Sequence, residues 1–134
     1  MKTVNLYEEQ KRLEEAGSQG VWVVFTEHIR FKIGSINAAP YQKVYDVAQK
    51  ALRREYKGRR VPDDVAQGAM MQCLAEGVLF DWEGVCDKDG KPLPFSADNA
   101  LIILKDLRRV RDFISVYAMD DDNFIRPEEE QTKN

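Results

Sequence analysis

Val21-Trp22-Val23-Val24-Phe25, a three-residue gap, and Ile29-Arg30-Phe31-Lys32-Ile33 together decide the fold class. The first run is β-branched and aromatic, the composition of a strand. The second alternates strictly, with Ile29, Phe31 and Ile33 on one side and Arg30 and Lys32 on the other. Thr26-Glu27-His28 between them predicts the turn of a hairpin, and Gly34-Ser35 ends it. A hairpin with one apolar face must bury that face against another layer. The flanking sequence supplies helices for it.

Upstream, residues 5–16 are rich in Glu, Lys, Leu and Gln and predict a short helix ending at Gly17. Downstream, Asn37-Ala38-Ala39-Pro40 reads as a helix entrance, with Pro40 in the first turn where its missing N–H costs nothing. Tyr41, Val44, Tyr45, Ala48 and Leu52 then make one apolar stripe, and the helix stops near Gly58. Pro62-Asp63-Asp64 opens another helix, with carboxylates at the positive end of its dipole. Val65, Ala66, Ala69, Met70, Cys73, Leu74, Gly77 and Val78 form its broad apolar face.

Residues 80–85 read as a short extended segment, and residues 87–91 as a turn in which Gly90 takes a positive φ. Pro92-Leu93-Pro94-Phe95 cannot be helix interior. Ser96 is a good N-cap for a helix through Leu104. Asp106 is the expected cap of a last helix with the stripe Leu107, Val110, Ile114, Tyr117 and Ala118. After Met119 the chain turns polar and acidic, and it reads as a solvated, disordered tail. The expectation is an α+β fold: a mainly helical single domain over residues 1–119 with a small N-terminal β-hairpin, then an acidic tail over 120–134.

The chain's 134 residues suit one domain. Hydrophobic residues at 43% and charged residues at 32% are a globular balance. A net charge of -3 argues against a general nucleic-acid binder, which is usually basic. Val21–Phe25, an apolar run of five residues, is far short of the ~20 residues a membrane helix needs. The N-terminus becomes acidic at Glu8-Glu9 before any apolar stretch, unlike a secretory signal. Cys73 and Cys86 form no CxxC pair, and the sole histidine, His28, does not complete a zinc site with them. Two buried free thiols in a reducing cytoplasm are expected.

Catalytic chemistry needs a constellation, and none is legible. His28 sits in the predicted turn, where a solvated imidazole is the default. The glycines are scattered, with no phosphate loop. Asp87-Lys88-Asp89-Gly90 looks like part of a calcium loop. With Gly90 as the invariant glycine, however, Val85 and Ser96 fall where an acid and a bidentate glutamate are required. No metal, cofactor or enzymatic activity is therefore expected. The cluster Arg53-Arg54-Glu55-Tyr56-Lys57-Gly58-Arg59-Arg60 has two readings. It is a solvated helix end favoured by the dipole, or a phosphate-gripping and base-stacking patch. A third reading has it hold the acidic tail or an acidic helix of a partner.

Residues 79–100 resemble the tail assembly chaperones of long-tailed bacteriophages and prophages. The stretch Asp81-Trp82-Glu83-Gly84-Val85 runs into Asp87-Lys88-Asp89-Gly90, then Pro94-Phe95-Ser96 and Asp98-Asn99-Ala100. Asp112-Phe113-Ile114 and Asp122-Asn123-Phe124 are similar further on, as are Gly20-Val21-Trp22-Val23 and the helix at Tyr41 upstream. The resemblance implies a non-catalytic protein of the host cytoplasm that is absent from the mature virion. It also implies two partners, the tape-measure protein and the tail-tube protein; self-association stays open, and no membrane is involved. The expected partner-binding residues are Trp82, Phe95, Phe113 and Phe124, with Arg53, Arg54, Arg59 and Arg60. Gly84, Asp89, Gly90, Ser96 and Asn99 are expected to be structural, shaping the turn and the helix start. The alternative is a small nucleic-acid-associated or regulatory protein using residues 53–60, with nucleic acid ranked below protein as a partner.

Overall fold

A computed structural model describes residues 2–126. The chain opens with α1 (Leu6–Gln19), whose N-cap Asn5 accepts hydrogen bonds through its side chain from the backbone N–H groups of Tyr7 and Glu8. This helix runs past Gly17, the expected stop, to a cap at Gly20. Gly17 serves packing instead: a Cβ there would lie 2.7 Å from the Cβ of Ser35. The glycine lets the helix lie directly on the chain that leaves the sheet.

The hairpin forms as the alternation predicts. β1 (Val21–Thr26) and β2 (Ile29–Ile33) pair antiparallel, with Val23 opposite Phe31. The hairpin is not the whole sheet. The extended segment after the helices is in fact β3 (Leu79–Glu83), paired antiparallel to β2 with Trp82 opposite Phe31, so the sheet order is β1-β2-β3. Phe31, Ile33, Leu79 and Trp82 are buried in the core. On the other face the Arg30 guanidinium lies 4.6 Å from the Trp22 ring centroid and pairs with Glu83 at 2.8 Å. The charged residues of the alternating strand thus cover that face.

Five helices follow: α2 (Ala39–Tyr56), α3 (Asp63–Gly77), α4 (Ala97–Asp106), α5 (Arg108–Met119) and the single turn α6 (Asp122–Ile125). The predicted stripe of α2 is only half buried, and no residue of that helix is fully enclosed. α3 contributes Cys73, Leu74, Ala75 and Gly77 to the interior, while Ala66 and Met70 of its predicted face stay exposed. Ala100, Ile103 and Leu104 of α4 and Val110, Ile114 and Ala118 of α5 complete the core under the sheet. Asp106 ends α4 rather than capping α5, because Leu107 alone breaks helical geometry between them. Arg111 donates to the orphan carbonyl of Leu104 at 2.9 Å and stabilises that break.

Order also extends beyond residue 119, where the domain was expected to end. Phe124 of α6 is 1% exposed and packs edge-on against Tyr117. Arg126 bridges Asp122 at 2.6 Å and Glu9 of α1, while Asn37 donates to Asp121 at 2.7 Å. The sequence of residues 120–126 is polar with one aromatic, and tertiary contacts nonetheless make it part of the fold. The acidic stretch 127–134 lies outside the described residues. A further correction concerns the thiols: Cys73 is buried, as expected, but Cys86 is exposed.

Candidate protein-binding groove

Gly84 carries the chain out of β3 at φ +83, with its α-carbon facing the hairpin turn; a Cβ there would sit 2.0 Å from the carbonyl oxygen of His28. Only glycine satisfies both constraints. The loop that follows closes on itself. Asp87 N–H donates to Lys91 O at 2.8 Å, Gly90 N–H to Asp87 O at 3.1 Å, and Leu93 N–H to Val85 O at 2.9 Å. The Asp87 side chain accepts from the N–H groups of Asp89 and Lys91 at 2.9 and 3.0 Å. Asp87, not Asp89, is therefore the side chain that builds the turn, and Gly90 supplies its φ of +80.

The loop then hands over to α4. Ser96 Oγ accepts from the N–H of Asn99 at 3.0 Å, the expected N-cap. Asn99 reaches back to donate to the carbonyl of Pro94 at 2.9 Å, which fixes the angle between loop and helix. Trp82 lies beneath, donating its indole N–H to the Leu93 carbonyl at 2.8 Å. Phe95 meets the Trp82 ring edge-on at 5.1 Å.

Between the loop and the open side of α4 lies a groove of about 440 Å³, within the size range of ligand-binding clefts. Leu93, Ile103 and the exposed side chains of Ile102 and Leu107 make its apolar lining. Cys86 lies on it too. Asp87, Asp89 and Asp106 stand at its rim, against one cation, Lys88, which reaches Asp106 at 3.9 Å. Among the described residues no cluster of His, Cys, Asp and Glu is arranged to hold a metal ion.

The expected partner-binding residues do not form one site. Trp82, at 6% exposed, and Phe124 are interior, so they support surfaces rather than present them. Phe95 is half-buried against Trp82 and does not line the groove. Phe113 lies elsewhere, edge-on to Phe25 at 5.0 Å, in a separate hollow with Arg109 and Val116. Arg53 and Arg54 are exposed in the last turn of α2. Arg59 folds back onto the carbonyls of Tyr56 and Glu55 at 3.1 and 3.2 Å, capping the helix, and Arg60 approaches Asp63 at 3.4 Å. Part of the basic cluster is thus spent on the helix end. The residues that sequence reasoning missed are Ile102, Asp106 and Leu107. One signal pointed to Ile102: four consecutive apolar residues, Leu101-Ile102-Ile103-Leu104, exceed what one helix face can bury.

The model of the family described as YdaY prophage protein matches residues 36–134, which include the whole groove. No curated protein and no solved structure matches the chain. A match over so much of the chain shows the family: the chain belongs to the YdaY prophage proteins.

Proposed function

We propose that this prophage protein is a tail assembly chaperone, a non-catalytic module that holds tape-measure protein and tail-tube protein in the host cytoplasm and leaves before the virion is complete. The observation that carries the reading is the groove. The segment that resembles tail assembly chaperones, residues 79–100, supplies the loop wall with Leu93 and the first turn of the helix opposite. Ile102 and Leu107, 52% and 47% exposed, are large apolar side chains left uncovered in a concave site. A concave site lined mainly by apolar side chains with a few polar groups is the usual form of a binding site. A tape-measure protein is long and largely helical, so its apolar stripes need cover until the tail tube closes around it.

Co-expression tests the proposal. The chain is produced with the tail-tube and tape-measure proteins of its own prophage, each in turn, and purified through a tag on the chaperone. Stoichiometric recovery of either protein is the expected result. Recovery of neither, from soluble and folded chains, overturns it.

A further inference from the structure

We infer that the groove between residues 86–93 and α4 takes an amphipathic helix whose apolar stripe is flanked by Lys or Arg. The inference rests on the protein-binding reading above and adds the shape and charge of the occupant.

Shape follows from hydrogen bonding. One wall of the groove is α4, whose backbone groups are bonded within the helix. The other is a loop in which the N–H groups of Asp87, Asp89, Gly90, Lys91 and Leu93 all donate inside the loop or back to Val85. The lining therefore offers side chains and little main chain. An extended peptide gains affinity by adding to a free strand edge, and no such edge lines this site. An occupant must bring its own backbone hydrogen bonds already paired, because unpaired groups in an apolar groove are costly. A helix does so and presents only side chains.

Charge follows from the rim. Three aspartates, Asp87, Asp89 and Asp106, face one lysine, Lys88. Lys88 lies 3.9 Å from Asp106, and three carboxylates against one ammonium leave the lining with a net negative charge, which attracts cations. An occupant with Glu or Asp beside its apolar stripe would meet like charges across a low-dielectric floor of Leu93, Ile102, Ile103 and Leu107. One with Lys or Arg is attracted, and its association weakens as salt rises.

The test uses two synthetic helices of about 18 residues, five turns each. They share one leucine stripe and differ only in flanks, all Lys in one and all Glu in the other. Fluorescence anisotropy against the full chain should show the Lys peptide binding at least about tenfold more tightly than the Glu peptide. The preference should shrink at high salt and fall away in Asp89→Lys/Asp106→Lys. Ile102→Asp should abolish binding of both peptides, and Val47→Asp, exposed on α2, should leave it unchanged. Circular dichroism confirms that each variant is folded. Ile102 and the two aspartates are exposed enough to change without entering the core, so one line of test survives if another variant fails. Three results overturn the inference: equal binding of the two peptides, binding indifferent to Ile102, or tighter binding of a proline-broken, extended version of the Lys peptide. No phage component takes part in this assay. Failure here with successful co-purification removes only the helix-and-charge assignment, and the reverse pattern removes only the tail assembly reading.

Discussion

The indole N–H of Trp82 donates to the carbonyl oxygen of Leu93 at 2.8 Å, joining the last strand of the sheet to the segment that floors the groove. The bond spans the loop between β3 and α4, so the groove is held to the core at its base as well as at its two ends. Trp82→Phe keeps most of the buried ring and removes the donor. It should lower stability by about 1–2 kcal/mol, the cost of an unpaired carbonyl with a small packing loss. Urea unfolding should show a lower midpoint at unchanged slope. An unchanged midpoint would mean that water replaces the indole without cost.

Gly84 and Gly90 share a positive φ yet should respond differently. At Gly84 an added methyl would strike the His28 carbonyl, whereas at Gly90 it would meet nothing within 4 Å. Gly90→Ala should cost about 1–2 kcal/mol, the backbone penalty alone. Gly84→Ala should cost about 3 kcal/mol or more, since the hairpin turn must also move. Thermal melts of the two variants side by side check the order, and equal losses would contradict it.

Phe124 is the clearest case of order hidden in a polar sequence. Phe124→Ala should cost about 3–5 kcal/mol, the usual range for emptying a buried phenyl site. Arg126→Ala, which removes partly exposed ion pairs to Glu9 and Asp122, should cost only about 1 kcal/mol or less. A chain ended after residue 119 should melt well below one ended after residue 126. Indistinguishable melts would return the boundary to Met119.

A half-buried phenol and a buried thiol make stability sensitive to alkali. Burial, with the neighbouring Cys73 and Tyr45, raises the pKa of Tyr41; burial, with Glu76, raises that of Cys73. Each folded-state pKa thus lies above its unfolded value. The folded state holds those protons more tightly, so their contribution is complete below the ordinary values of 9.0 for the thiol and 10.0 for the phenol. It is lost as pH rises through the raised values. Stability should fall from about pH 9 upward, and Tyr41→Phe/Cys73→Ala should flatten that fall. In native protein at neutral pH, a thiol reagent should label exposed Cys86 and spare Cys73. Equal labelling rates would contradict the burial of Cys73.

What the sequence made legible was local. Alternation at Ile29–Ile33 specified the hairpin, and Ser96 with Asn99 specified the start of α4, because each depends on neighbours a few residues away. The third strand was read as extended but not as sheet, since nothing within residues 79–83 states that β2 is its partner. Gly17 reads as a helix stop because its packing partners, Ser35 and Ala38, are distant in sequence. The groove escaped for the same reason. Cys86, Leu93 and Leu107 belong to three local features, and only tertiary structure sets them around one space. On sequence alone Trp82, Phe95 and Phe113 read as core as readily as binding residues, since burial is the commonest use of large aromatics; Trp82 is buried, and so is Phe124, the one expected to stay outside the core.

The central claim is that an apolar groove on this prophage protein holds a helical tail component, and Ile102→Asp tests it most directly. The substitution puts a carboxylate on a half-exposed position of the groove and leaves the core residues beside it unchanged. Wild type and variant are co-expressed with the tape-measure protein, matched for soluble yield and circular dichroism, and the recovered partner is quantified. The account predicts stoichiometric recovery with wild type and at least a tenfold loss, about 1.4 kcal/mol or more, with Ile102→Asp. Equal recovery by the two chains would contradict it.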